Sequence, residues 1–254
     1  MNRSLTPEVT NVAPSANGLV MTSSDGESRF EVRTESGRYE VRAERVISGV
    51  PVHVATPLSD AQYHTLRSFA SAEPQSGPSL EIERKWRPTS EMDLQALEEV
   101  VGQPVSSHRI EQGYLLIDAT EVRLRRQDAS YFLTLKGGGG LIRREIEIEL
   151  SAQQAEDLWP ATEGRRLEKT RCKHALTQPD GQATIVEVDR FQGSHAPLVV
   201  VECEFSSKEA ARAFAAPECF GVEVTESKEH KNRAIVLHGV PLPPLISFSF
   251  PRHA

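Results

Sequence analysis

Between residues 80 and 205 the chain repeats one device: short segments in which ionisable and apolar side chains alternate with period two. They read LEIERKWR, RIEQGYLLI, EVRLRRQ, SYFLTLK, LIRREIEIEL, RLEKTRCKHAL, ATIVEVDRF and PLVVVECEF. Successive side chains of a strand point to opposite faces, so each segment predicts a strand with one charged and one apolar face. Most successive pairs are close enough to be hairpins, which predicts an antiparallel meander. Helices punctuate it. SEMDLQALEEVVG opens on a Ser90/Asp93 capping pair and closes on Gly102, SAQQAEDLWP carries a Ser151/Gln154 box, and SSKEAARAFAAP repeats the device with Ser206 and Glu209. The class is α+β.

The charged faces group residues by sign. Glu81, Glu83 and Lys85 share a face, as do Arg123 with Arg125, Glu145 with Glu147 and Glu149, Lys169 with Arg171, Glu187 with Asp189, and Glu202 with Glu204. For a single strand, charges facing water over an apolar core are the ordinary arrangement. Taken together the strands say more, because like charges on one face repel unless something of opposite sign lies between them. A shared ligand would supply it. If the sheet closes with this face inward, the result is a charged lumen. Such a lumen suits a polyphosphate with a divalent metal: Arg and Lys orient phosphate oxygens, while Asp and Glu offer the hard oxygen ligands that Mg²⁺ or Mn²⁺ takes.

The rest of the chain narrows the setting. Its 29 Lys and Arg against 36 Asp and Glu leave a net charge of -7, which argues against general attraction to nucleic acid or an anionic membrane. Three widely spaced cysteines without CxxC spacing make neither a disulfide framework nor a zinc site. With no signal-like segment and no apolar run of about 18 residues, the expected setting is a reducing cytoplasm. Residues 1–18 read as a disordered tail. Residues 19–70 read as a small β-rich unit, with strands RFEVRT, RYEVRAERV and VPVHVAT followed by one helix in DAQYHTLRSFA. SAEPQSGPS at 71–79 marks a linker, and 241–254 forms a Pro-rich tail. KGGGG at 136–140 lacks the spacing of a phosphate loop and reads as a hairpin turn. Cys203 falls on the apolar face and reads as core.

In order along the chain, Glu81, Glu83 and Lys85 spell ExExK, followed by VRLRR, FLTLKG, RREIEIEL, EKTR, EVDRF, VECEF and EVTE. With this set, residues 80–240 resemble the CYTH family, the triphosphate tunnel metalloenzymes, and LWPATEGRRLEKTR is most similar to its small bacterial inorganic triphosphatases. The resemblance implies an eight-stranded antiparallel β tunnel, closed as a barrel, with flanking helices, hydrolysing inorganic triphosphate to phosphate and pyrophosphate with Mg²⁺ or Mn²⁺. It assigns Lys85, Arg123, Arg125, Lys136, Lys169 and Arg171 to the phosphates. It assigns Glu81, Glu83, Asp189, Glu202 and Glu204 to the metal, and gives Lys85, Glu145 and Glu147 catalytic roles. Alternatives on the same scaffold are an adenylate cyclase, a nucleoside or thiamine triphosphatase, or a non-catalytic polyphosphate-binding module. The expected partner is a small-molecule triphosphate, without nucleic acid or membrane, and a homodimer is allowed for. One departure stands out: TESKEHKN at 225–232 replaces the family's TxDxRYxN, keeping Thr225 and Asn232 and offering Lys228, Lys231 and Arg233 as further cations.

Overall fold

The computed structural model describes residues 11–15, 18–70, 82–137, 144–178, 181 and 183–243. The expected linker at 71–79, Glu81, the glycines at 138–140 and residues 244–254 lie outside that description. The chain divides into two compact units, Met1–Leu80 with Ile110–Leu167 and Glu81–Arg109 with Glu168–Ala254.

In chain order the elements are β1 (Asn11–Ser15), β2 (Gly18–Thr22), β3 (Ser28–Glu35), β4 (Arg38–Ile47), β5 (Val50–Leu58), α1 (Asp60–Arg67), β6 (Ile82–Arg87) and α2 (Glu91–Val101). There follow β7 (Ser106–Ile117), β8 (Glu121–Gln127), β9 (Ser130–Gly137), β10 (Arg144–Leu150), α3 (Ala152–Leu158), β11 (Arg166–Thr177) and β12 (Ala183–Phe191). The last are β13 (Val199–Phe205), α4 (Lys208–Ala213), β14 (Val222–Glu223) and α5 (Asn232–His238).

In the first unit, β1 to β5 form an antiparallel meander in chain order. Alternation predicts only three of these strands; β1 and β2 precede them. The two-residue turns Ser36-Gly37 and Ser48-Gly49 have positive φ at both positions, the geometry that matches the twist of a tight hairpin. This sheet has no core to itself. Phe30, Val32 and Val41 pack in one apolar cluster with Leu115, Leu124 and Leu133 from β7 to β9 and Leu158 from α3. Polar staples reinforce that union: Thr56 donates to Asp157 at 2.8 Å, and the buried Arg45 donates from Nη1 to the carbonyls of Ala161 and Glu163 at 2.6 and 2.9 Å. Burial, helped by repulsion from Arg165 and Arg166, lowers the Arg45 pKa to about 10.

The larger sheet has nine strands in the order β10-β9-β8-β7-β11-β12-β13-β6-β14. Among the described residues its end strands, β10 and β14, are not neighbours, so the sheet is open and the expected closed eight-stranded barrel is not formed. Both ends have a physical reason. At β10, Gln62 of α1 donates its amide to the Glu149 carbonyl at 2.7 Å, so a helix side chain meets the edge backbone. At the other end β14 is only two residues long, with Val222 opposite Arg87 and Glu223 opposite Trp86.

The capping signals at α2 and α3 hold as reciprocal boxes, Ser90 with Asp93 and Ser151 with Gln154. At α4 the cap is Ser207, whose hydroxyl accepts from the Ala210 amide, one residue beyond the expected Ser206. Helix α5 was not legible in the sequence. In the second unit Trp86, Val188, Val201 and Cys203 form the sheet's apolar face, covered by Leu97 of α2, Phe214 and Phe220. Burial pushes the Cys203 thiol up to about 12, as befits a core residue. No helix among the described residues is long and apolar enough to cross a membrane.

Because residues 19–70 and 110–167 share one core, Phe30→Ala should destabilise both parts together by about 3–5 kcal/mol. Hydrogen exchange should show lost protection in β8 and β9 as well as in β3; protection lost in β3 alone would refute a common core.

Candidate functional site

In the second unit the charged faces of β11, β12, β13 and β6 fall into register. Arg171 lies opposite Asp189, Lys173 opposite Glu187, and Lys85 opposite Glu202. At these positions charges that share a sign along one strand meet the opposite sign on the next, so part of the segregation is met within the protein, although Glu187 faces Glu202 and Glu83 faces Glu204.

Arg171 is the centre of this lattice. Its Nε donates to Asp189 Oδ1 at 2.7 Å, and its Nη2 to Asp189 Oδ2 at 2.6 Å and Glu202 Oε2 at 2.8 Å, while Nη1 pairs with Glu187. Glu187 and Glu202 stand directly opposite each other across β12 and β13, so this one guanidinium separates two like charges. Lys173 also reaches Glu187, at 2.7 Å. Lys85 lies 2.9 Å from Glu202 and 3.1 Å from Glu83. Burial alone would lower the Lys85 pKa, but Glu202 and Glu83 outweigh it and hold the ammonium charged. Burial likewise works to raise the Glu202 pKa, and Lys85, Arg171 and Lys169 reverse that and hold it far below the usual carboxylate range.

Lys169 is the most deeply placed cation, only 2% exposed, and pairs with the fully buried Asp189. Burial lowers its pKa although Asp189 pulls the other way. Glu83 and Glu204 are in direct register on one face, two carboxylates side by side. Thr225 accepts from the backbone amide of Lys85 at 3.0 Å and donates to Glu223 at 2.7 Å, so the retained threonine of the altered segment fastens the strand at the lysine. In that segment His230 is buried between Ser227 Oγ, 2.8 Å from Nδ1, and Arg87 Nη1, 3.3 Å from Nε2; Lys228 is exposed.

In the first unit the polar face of β7 to β10 is built differently. Across β8, β9 and β10, Arg123, Thr134 and Glu147 lie in one row, with Lys136 between Glu121 and Glu145 in the next. Arg123 Nη2 donates to Thr134 Oγ1 at 3.1 Å, and that hydroxyl donates to Glu147 Oε2 at 2.8 Å. Lys136 pairs with Glu145 at 2.7 Å. Opposite Arg125 and Arg123 on β7 stand Gln112 and Tyr114, both buried, with Gln112 Nε2 donating to the Tyr114 hydroxyl at 3.0 Å. Burial raises the Tyr114 pKa, so the phenol stays protonated. Gln112, Tyr114 and Thr134 carry no charge and so do not stand out among the charged residues of these strands. Their signal was positional: each shares a period-two face with, or faces in register, an arginine or lysine.

Among the described residues no three His, Cys, Asp or Glu side chains converge closely enough to hold a metal ion by themselves. The oxygen donors Glu83, Asp189, Glu202 and Glu204 nevertheless suit Mg²⁺ or Mn²⁺. Such ions commonly take one or two carboxylates, the substrate's phosphates and several waters. The Glu83/Glu204 pair is the position where a cation would relieve like-charge repulsion.

No family model matches the chain. It is similar to an inorganic triphosphatase of Nitrosomonas europaea, 53% identical over 130 residues that span 50% of this chain and 83% of the relative. Among solved structures it is similar to an inorganic triphosphatase, with 44% identity, a TM-score of 0.45, and coverage of 62% of this chain and 94% of that one. A putative adenylyl cyclase from Hippeastrum with a dominant triphosphatase activity is also similar, at 18% identity and a TM-score of 0.40 over 52% of this chain and 82% of that one.

Two outcomes follow from the ion lattice. Asp189→Asn should cost about 3–5 kcal/mol by leaving Lys169 buried without its counter-charge, and adding Lys169→Met should recover part of that loss in urea unfolding. Second, a carboxyl whose folded pKa is depressed contributes stability above its unfolded pKa and loses it as pH falls. The stability difference between wild type and Glu202→Gln should therefore shrink from the ordinary carboxyl value of 4.5 downward. Urea midpoints from pH 7 to pH 3 would show this; a difference independent of pH would refute it.

Proposed function

The chain belongs to the CYTH family, the triphosphate tunnel metalloenzymes, and we propose that it hydrolyses inorganic triphosphate to phosphate and pyrophosphate with Mg²⁺ or Mn²⁺. The observation that carries this reading is the sequence identity with the Nitrosomonas inorganic triphosphatase across most of that protein's length. The charge lattices supply the chemistry it needs, because phosphoryl transfer depends on positioning and charge neutralisation more than on covalent catalysis.

Lys85, Lys169 and Arg171 of the second unit and Arg123, Arg125 and Lys136 of the first are assigned to phosphate oxygens. Lys85, kept protonated by Glu202 and Glu83, offers a charge-assisted hydrogen bond at every working pH. Glu83, Asp189, Glu202 and Glu204, with Glu81 preceding them in the ExExK motif, are the oxygen donors suited to the divalent cation. When bound, that cation neutralises charge on the phosphates and lowers the pKa of a coordinated water. Glu145 and Glu147 are acceptors that can orient the attacking water. Water adds to a terminal phosphorus, the bridging P–O bond breaks, and pyrophosphate leaves with the bridging oxygen. The water's protons pass to carboxylate or solvent.

The purified chain should release phosphate and pyrophosphate from tripolyphosphate when Mg²⁺ or Mn²⁺ is present and stop when the metal is chelated. A Lys85→Ala, Arg125→Ala double variant should lose on the order of a hundredfold in rate. Wild-type release no greater than that of the double variant would sink the reading.

A further inference from the structure

Arg123 differs from Arg171, Lys85 and Lys136 in what holds it. Arg171 is bound by three carboxylates, Lys85 by two, and Lys136 by Glu145 at 2.7 Å. Among the described residues the hydrogen-bond acceptor of Arg123 is a neutral hydroxyl, Thr134 Oγ1. Its carboxylate partners, Glu147 and Glu145, are ion-paired with it at 3.7 and 4.0 Å but lie beyond hydrogen-bond reach, and among the described residues its buried Nε has no acceptor. The hydroxyl is itself fully buried and spends its proton on Glu147. One oxygen thus accepts from the arginine and donates to the glutamate, holding each in place while keeping them apart.

We propose that Thr134 is a positioning residue for triphosphate binding: its hydroxyl holds Arg123 with a neutral acceptor, keeps the paired carboxylates out of hydrogen-bond reach so that guanidinium donors stay available to phosphate, and fixes Glu147 as an oriented acceptor. The inference rests on the triphosphatase reading. A phosphate must displace a hydrogen-bonded carboxylate from an arginine that holds one, whereas at Arg123 it meets only the longer ion pairs to Glu147 and Glu145 and breaks no charge-assisted hydrogen bond. Without the hydroxyl, the Arg123–Glu147 ion pair would shorten from 3.7 Å into hydrogen-bond contact, and the guanidinium would be less available to phosphate.

The test compares Thr134→Val, which keeps the shape and removes the hydroxyl, with Thr134→Ser, which keeps the hydroxyl and removes a methyl. For tripolyphosphate hydrolysis, valine should raise KM about ten- to a hundredfold, the scale of a charge-assisted hydrogen bond, with a smaller change in kcat. Serine should restore KM to near wild type. Calorimetric titration with tripolyphosphate in the absence of metal should show the same order of affinities, independently of turnover. Should the valine variant fail to fold, the serine variant decides alone: a KM raised as in a hydroxyl loss would overturn the proposal. It is likewise overturned if folded valine binds and turns over as wild type does. A wild-type protein that neither binds nor hydrolyses tripolyphosphate overturns the function itself; an active wild type with an indifferent Thr134 overturns only this inference.

Discussion

Arg171 is the constraint on which the second unit's polar face depends. Its planar fork reaches Asp189 twice and Glu187 and Glu202 once each, a geometry a lysine could not reproduce. Without it Glu187 and Glu202 would face each other across adjacent strands with nothing between them but Lys85 and Lys173 at the flanks. Burying so many ions is costly, and their mutual pairing offsets the cost only when the strand register is exact to the residue. The apolar face underneath supplies that register. Val186, Val188, Val201 and Cys203 pack against side chains that α2 and α4 carry or lead into, and a one-residue slip would bring these to the charged side.

The two units solve the same problem by different chemistry. In the second, carboxylates hold the cations, and the cluster is dense and nearly neutral. In the first, Thr134, Gln112 and Tyr114 place neutral dipoles beside Arg123 and Arg125; Lys136 pairs closely with Glu145 of the acidic strand β10, while Arg123 reaches Glu147 and Glu145 at the longer 3.7 and 4.0 Å. Neutral acceptors orient a guanidinium without consuming its charge. A carboxylate orients it more strongly but becomes a competitor for any anion that follows.

Much of this was legible in the sequence, because period two assigns faces without reference to the rest of the fold. Lys85, Arg123, Lys169, Asp189 and Glu202 all lie on the faces that alternation gives them, and Cys203 and Trp86 lie in the core opposite. The boxes at Ser90 and Ser151 are local chemistry and so were readable too. Cross-strand register was not. It depends on hairpin length and, between β7 and β8, on the bulge between Tyr114 and Leu116; between β11 and β12 it sets Arg171 opposite Asp189. Closure was not legible either, since nothing in β10 announces that Gln62 of a preceding helix reaches its edge. Thr134 escaped notice for a related reason: a threonine in a strand is ordinary until its two neighbours are known.

The balance of charge bears on metal dependence. Four cations of the second unit, Lys85, Lys169, Arg171 and Lys173, stand among five carboxylates, Glu83, Glu187, Asp189, Glu202 and Glu204. A polyanion arriving alone would have to displace carboxylates from every cation it touched and leave them buried without partners, a loss of several kcal/mol each. With a divalent cation bound, Glu83, Asp189 and Glu202 would have a second positive partner, and Lys85 and Arg171 could turn to phosphate. No group is then stranded, and the ion pairs of the free protein become the template for those of the complex. On this argument the lattice as a whole would favour a substrate that arrives with its metal, with no preformed three-carboxylate site required among the described residues.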